Sequence, residues 1–283
     1  MAQVLRKCAP LLHPAMPGLS VIVPTYNEVD NIRPLCERLF KSLKDAGIEP
    51  AELVVMDDES KGSAQTEKIV NELAKEGHNI RGHFRKKAEG RGLSSAVMLG
   101  FDKAKYPVML CMDADLQHEP ESVPAVADPV LKGRAEFSVG SRNVAGGGVG
   151  FEWSFLRRVI SFVATSLALG VSSSTDPMSG FFCTTKEVYA RGRERCNGIG
   201  WKVGLEIAAR CKAKPLEDVP ITFKDREAGE SKLTQKETIQ YVEQLVHLYC
   251  DRYGAAPFFG SIVFLVLFGL FVLYSILSSV VGR

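Results

Sequence analysis

The residues best suited to do chemistry are Asp113 and Asp115, set two apart directly behind the apolar run VMLCM (108–112). On an extended chain, side chains at i and i+2 point to the same side, so two carboxylates there repel unless a cation or ligand hydroxyls compensate them. Gln117 adds an amide oxygen two residues on. Hard oxygen ligands of this kind suit Mg²⁺ or Mn²⁺, which would bridge to a diphosphate. A solvated acidic turn is the plainer reading of Asp-x-Asp. The strand in front of the pair and the acids at other strand ends weigh against it.

Asp57 follows a second apolar run, ELVVM (52–56). It would accept hydrogen bonds from a nucleobase or ribose, or else cap the next helix. Pro24, Tyr26 and Glu28, behind the first run, would form one wall of a nucleotide pocket, with Tyr26 stacking and Glu28 accepting; an ordinary loop is the alternative. Arg142, Arg157, Arg226 and Lys232 are separated cations near expected loops. Phosphate recognition favours Arg forks with Lys as a point charge, though any one of the four is equally a solvated surface residue. No GxGxxG follows the first run and no GxxxxGK[ST] occurs, so neither a dinucleotide fold nor a P-loop is supported.

These residues need a scaffold, and the pattern around them describes one. Apolar runs at 19–23, 52–56, 79–84, 108–112 and 137–140 alternate with helical spacing over about 30–46, 64–76, 93–104 and 122–132. Asp30 is the expected N-cap of the first helix and Gly47 its stop. Strands that are apolar throughout, separated by helices, predict an α/β, Rossmann-like domain with a mostly parallel sheet covered on both faces. Such sheets bind ligands beyond the carboxyl ends of their strands, where the acids above lie. Gly146–Gly150 reads as a flexible stretch. The following segment, 151–171, places Arg157 and Arg158 between aromatic and aliphatic residues. Its run after Arg158 is too short to span a bilayer, so an amphipathic helix lying in the membrane interface is expected, with a buried core helix as the alternative.

The chain has 283 residues, 46% hydrophobic and 24% charged, a globular composition that excludes disorder and collagen-like repeats. From Pro257 to Val281 no charged residue occurs. As a helix this stretch reaches roughly 37 Å against a hydrocarbon core of about 30 Å, so a C-terminal transmembrane helix is expected. Residues 1–18 form an N-terminal extension too broken by proline to be a secretory signal, which leaves the domain before the span on the cytosolic side. The seven cysteines form no CxxC pair and fit a reducing compartment. A net charge of +2 without a basic block excludes nucleic acid as the expected partner.

Taken together, VIVPTYNE (21–28), VMDDES (55–60), GLSSAV (92–97), MDADLQH (112–118), VGSR (139–142), DPMSGFF (176–182), GWKVGLEI (200–207) and GESKL (229–233) closely resemble the dolichyl-phosphate mannosyltransferases, family 2 glycosyltransferases of GT-A fold. The resemblance covers about 19–250. It implies transfer of mannose from GDP-mannose to dolichyl phosphate with inversion, giving the lipid-linked mannose donor for N-glycosylation, GPI anchor synthesis and O- and C-mannosylation. By motif, Pro24, Tyr26, Glu28, Val55 and Asp57 would hold the nucleotide with Asp113, Ala114 and Asp115 beside it. Asp115 and Gln117 would bind the metal. Arg226 and Lys232 would close over the diphosphate, and Arg142, Arg157 and Ser161 would receive the dolichyl phosphate. The resemblance also implies an endoplasmic reticulum membrane protein, anchored by its own C-terminal span without an anchoring subunit, its catalytic domain facing the cytosol.

One departure stands out. Family members commonly continue the second acidic motif as Asp-Asp-x-Ser-Pro-Asp-Gly, whereas here Ser60 is followed by Lys61, Gly62 and Ser63. Two other readings remain open at the level of sequence: another polyprenyl-phosphate glycosyltransferase, for example one using UDP-glucose, and a non-catalytic, tail-anchored nucleotide-binding subunit.

Overall fold

A computed structural model describes residues 17–151, 155–225 and 235–260. Runs of β-branched and aliphatic residues form its central strands. Strand β1 (Leu19–Thr25) is buried along its whole length, and β2 (Ala51–Asp57) in all but its first residue. Between them, helix α1 (Val29–Asp45) turns Ile32, Leu35, Leu39 and Leu43 inward, as their spacing predicts. Its N-cap position is held by Glu28, which makes no side-chain cap, and the expected cap Asp30 sits inside the first turn instead. A carboxylate there still complements the helix dipole. Gly47 ends the helix at φ +67°, and the amides of Gly47 and Ile48 fold back onto the carbonyls of Lys44 and Leu43.

The alternation continues through α2 (Ser63–Lys75), β3 (Ile80–Phe84), α3 (Leu93–Lys103), β4 (Val108–Cys111), α4 (Val123–Leu131) and β5 (Phe137–Ser141). After β5 come β6 (Gly148–Val149), α5 (Phe155–Ala168), β7 (Phe182–Thr185), α6 (Lys186–Ala190), α7 (Val203–Arg210), β8 (Leu216–Pro220), β9 (Thr222–Phe223) and α8 (Gln235–Tyr253). Seven strands make one sheet in the order β3-β2-β1-β4-β7-β5-β8, and β6 pairs with β9 apart from it. Helices α1, α2 and α4 bury their apolar stripes against one face, and α3, α6 and α7 against the other.

The sheet is parallel except at β7, which runs antiparallel to both β4 and β5. The chain has already crossed to the carboxyl end of the sheet before residue 182, so its next strand has to enter from that end. Gly146–Gly150 is not simply a flexible stretch. Gly148 and Val149 pair with Thr222 and Phe223, and a Cβ on Gly147 would fall 2.5 Å from the Ser141 carbonyl oxygen. Glycine is required there by close approach.

Helix α5 occupies 155–168 of the expected 151–171 segment. It is not a buried core helix: Phe155, Ile160 and Phe162 are 60–77% exposed, and Ala168 anchors its end. No helix among the described residues is long and apolar enough to cross a membrane. Most of the expected span, residues 261–281, and the extension over 1–16 lie outside the described residues.

Candidate active site at the carboxyl end of the sheet

Register brings the functional ends level. Thr25 pairs with Asp57 across β1 and β2, and the Met112 amide donates to the Ile22 carbonyl, so Asp113 emerges beside the end of β1. Beyond β4 the chain alternates. Met112, Ala114 and Leu116 enter the core, while Asp113 and Asp115 lie partly exposed on the other side. This is the same-side pair that the spacing requires. Asp115 accepts the Gln117 amide at 3.2 Å. The Gln117 side chain donates through Nε2 to the Lys224 carbonyl at 3.0 Å, and its amide oxygen is the atom of suitable chemistry for a cation. The donor set fits a hard divalent ion. No group of three or more His, Cys, Asp or Glu side chains able to hold an ion occurs among the described residues, so Asp115 and Gln117 suit a partial shell of the kind phosphate oxygens and water complete.

The second acidic motif is built differently from expectation. Asp57 is fully buried, and its carboxylate accepts from Thr25 Oγ1 at 3.1 Å, the Ser60 amide at 3.3 Å and Ser60 Oγ at 3.2 Å, with Ser63 Oγ as a fourth donor. Four donors match the capacity of a carboxylate. Asp57 thus organises the turn into α2, and the residue of the departing motif that completes this arrangement is Ser63. The neighbouring Asp58 pairs with buried Arg85 at 2.8 Å and accepts the Gly92 amide at 2.7 Å. Val55 is wholly buried two residues before the end of β2, and its side chain packs the core rather than the cleft. Pro24 is buried in β1. Tyr26 is 44% exposed at the rim, as stacking would need, and Glu28 accepts from Asn31 at 2.9 Å.

Arg142 differs most from its expected state. Its Nε and Nη2 donate to the two carboxylate oxygens of Asp176 at 2.7 and 2.8 Å, and its amide donates to the same group at 3.1 Å. It is a charge held bidentately by a buried partner rather than a solvated phosphate fork. Burial alone would push the Asp176 carboxyl up; the hydrogen bonds and charge of Arg142 outweigh it and hold the group below its usual value. Around this pair lies an aromatic cluster. The Arg142 guanidinium sits 5.2 Å from the Phe223 ring, Phe223 is 6.5 Å from Phe151, and Arg157 lies 5.9 Å from Phe151. Phe223 therefore brings two of the three expected acceptor residues into one neighbourhood. Ser161 follows Arg157 by one helical turn on α5.

Three site residues escape a reading of sequence alone. Asp176 was visible only as part of DPMSGFF. His118 is buried between Phe181 and Phe223, and burial pushes it down to about 4, so it is neutral at pH 7. Lys202, inside GWKVGLEI, donates to the Met178 carbonyl at 2.6 Å and lies 3.9 Å from the Trp201 ring centre. Burial and Arg142 push it down to about 8, against Asp113 and Asp176, which oppose the shift. Arg226 and Lys232 lie outside the described residues. The chain leading to them is fixed at Lys224, whose amide donates back to the Gln117 carbonyl at 3.0 Å.

A strand-end acidic pair beside a buried Arg–Asp clamp matches the position of nucleotide-sugar chemistry, and comparison with known proteins decides the family. The model of glycosyl transferase family 2 matches residues 20–188. A dolichol-phosphate mannosyltransferase of Mycosarcoma maydis is 38% identical over 272 residues, 94% of this chain and 90% of its own. One of Saccharomyces cerevisiae is 40% identical over 263 residues, 91% of this chain and 96% of its own. The chain belongs to glycosyl transferase family 2, in its dolichol-phosphate mannosyltransferase branch. Among solved structures, mannosyl-3-phosphoglycerate synthase from Rubrobacter xylanophilus superposes with a TM-score of 0.58 at 16% identity, covering 84% of this chain and 76% of that one. At that identity the likeness is one of fold, and it identifies the sheet as the GT-A-like sheet of family 2.

Proposed function

We propose that the chain transfers mannose from GDP-mannose to the phosphate of dolichol, with inversion at the anomeric carbon. The observation that carries this reading is the aromatic link from Arg142 through Phe223 and Phe151 to Arg157. It joins the acidic, nucleotide-side end of the sheet to a helix whose apolar side chains face outward. A water-soluble donor and a lipid acceptor need such a shared boundary.

The chemistry asks little of a general base. A phosphate monoester has a second pKa of about 6, so the attacking oxygen is already largely anionic near pH 7. It forms the new bond to the anomeric carbon as the bond to the GDP diphosphate breaks on the opposite face, and the electron pair leaves with GDP. Mg²⁺ or Mn²⁺ held by Asp115 and Gln117 would neutralise charge on the departing diphosphate. Asp176 holds Arg142 in a fixed orientation, so its charge needs little reorganisation as phosphate arrives. Arg157 and Ser161, one turn apart, would take the acceptor phosphate, and Arg226 and Lys232 the diphosphate.

In this reading the outward apolar side chains of α5 lie in the membrane interface with Arg157 and Arg158 at headgroup level. The apolar stretch through 281 anchors the chain in the endoplasmic reticulum membrane, with the catalytic domain on the cytosolic side. The test is a side-by-side assay of the full chain with dolichyl phosphate and either GDP-mannose or UDP-glucose. Transfer of mannose supports the proposal, whereas transfer only from UDP-glucose, or nucleotide binding without turnover, overturns it.

A further inference from the structure

Helix α5 is tied to α8 by both packing and hydrogen bonds. Ala164 and Ala168 pack against a small cluster that includes Tyr241, Leu245 and Leu248. Three tyrosine hydroxyls of α8 then donate to carbonyls at the end of α5 and just past it: Tyr241 to Ala164 at 2.7 Å, Tyr249 to Leu167 at 2.9 Å, and Tyr253 to Gly170 at 2.8 Å. The last four carbonyls of a helix have no partner within it, so Tyr249 supplies Leu167 with a bond that the helix cannot.

Gly170 makes this approach possible. A Cβ at that position would fall 2.1 Å from the Tyr249 hydroxyl oxygen and 2.7 Å from two ring carbons, with no space for either to stay. Helix α8 is itself tied to the site, since buried Gln244 donates to the Lys202 carbonyl at 3.3 Å and Arg210 of α7 pairs with Asp251. The helix that ends beside Gly170 and the main chain that carries Lys202 are therefore held by the same element.

We propose that Tyr249, seated across Gly170, is a positioning residue that sets α5, and with it Arg157 and Ser161, against the donor cleft. This rests on the reading that α5 receives the lipid phosphate. The contact acts through the placement of α5 and touches no substrate. It predicts a selective defect: losing it impairs use of the acceptor and leaves donor binding intact.

The experiment compares wild type, Gly170→Ala, Tyr249→Phe, Tyr249→Ala and the Gly170→Ala/Tyr249→Ala double variant as full chains in liposomes. It measures KM for dolichyl phosphate and for GDP-mannose separately. Gly170→Ala is expected to raise the acceptor KM about tenfold, since a displacement of about 1 Å remote from the chemistry can cost up to about 10²-fold. The donor KM is expected to stay within about twofold, and Tyr249→Phe to show a weaker form of the same split. In the double variant the alanine meets no ring, so its acceptor KM should equal that of Tyr249→Ala alone. An unchanged acceptor KM, equal rises in both KM values, or additive effects would overturn the proposal. If Gly170→Ala does not fold, Tyr249→Phe decides by the same split. Hydrogen exchange of the α5 amides, expected to quicken in Gly170→Ala and Tyr249→Phe while the β1 and β2 amides stay protected, is read without turnover. A wild type that transfers no mannose would thus defeat the proposed function, while unchanged α5 exchange would defeat this one.

Discussion

Arg142 and Asp176 form a two-pronged ion pair, the carboxylate fully buried and the guanidinium side chain 14% exposed. They are far apart in sequence yet meet where β5 ends and the chain turns toward β7. Asp176 compensates the guanidinium at a site where a lone buried charge would be costly.

Removing one partner should therefore do more harm than removing both. Asp176→Ala is expected to cost about 3–5 kcal/mol of stability, the range for breaking a buried pair from one side. Adding Arg142→Leu should recover part of that stability but none of the transfer activity. Urea unfolding together with a transfer assay on the three variants checks this; strict additivity would show that the two residues act independently.

The turn behind β2 offers a gentler test. Ser63→Ala removes one of four donors to Asp57 and should cost about 1 kcal/mol, the usual net worth of such a bond. Nucleotide affinity, measured by calorimetry with GDP, should fall little, because three donors still hold Asp57. A loss of affinity as large as that of Asp57→Ala would assign Ser63 a direct contact with the nucleotide.

Lys202 gives a pH dependence with opposite signs for activity and stability. Its folded value of about 8 lies below the ordinary 10.5, so between these values the unfolded chain binds the proton that the folded chain has released. Stability should rise as pH climbs through that window. Transfer should fall over the lower part of it as the ammonium beside Asp113 and Asp176 is lost. Lys202→Arg should remove the alkaline fall, since a guanidinium does not titrate there. A profile identical to wild type would separate Lys202 from the reaction.

The outward face of α5 carries a further expectation. Phe162 is 72% exposed, so Phe162→Asp should change stability by no more than about 0.5 kcal/mol. In liposomes it should raise the KM for dolichyl phosphate and leave that for GDP-mannose unchanged. An unaffected acceptor KM would show that this face does not meet the bilayer.

What could be read from the chain alone follows from the range of each interaction. The helices from α1 to α4 and the parallel strands β1 to β5 declare themselves through local apolar spacing, and Asp113 and Asp115 through a two-residue period. The clamp on Arg142 and the edge-to-face contact of His118 with Phe223 join segments 34 and 105 residues apart, and no local pattern encodes such partners. Strand β7 was hidden for a related reason: FCTT is four residues long, and its direction depends on where α5 delivers the chain. Asp57 had two open roles in sequence, nucleotide acceptor or helix cap; in the structure Gly62 holds the N-cap of α2, and the four donors to Asp57 come from β1 and the turn before and at the start of α2, contacts that no local pattern encodes.

In the proposed reaction the acidic pair behind β4 drives mannose transfer to a lipid phosphate. Its most direct test is the rate at which mannose from GDP-mannose appears on dolichyl phosphate in liposomes, wild type against Asp115→Ala, at saturating Mg²⁺ or Mn²⁺. The wild type should transfer mannose and the variant should lose at least about 10²-fold, the scale for removing a main electrostatic stabiliser, with unfolding unchanged. Near-normal transfer by Asp115→Ala would contradict it.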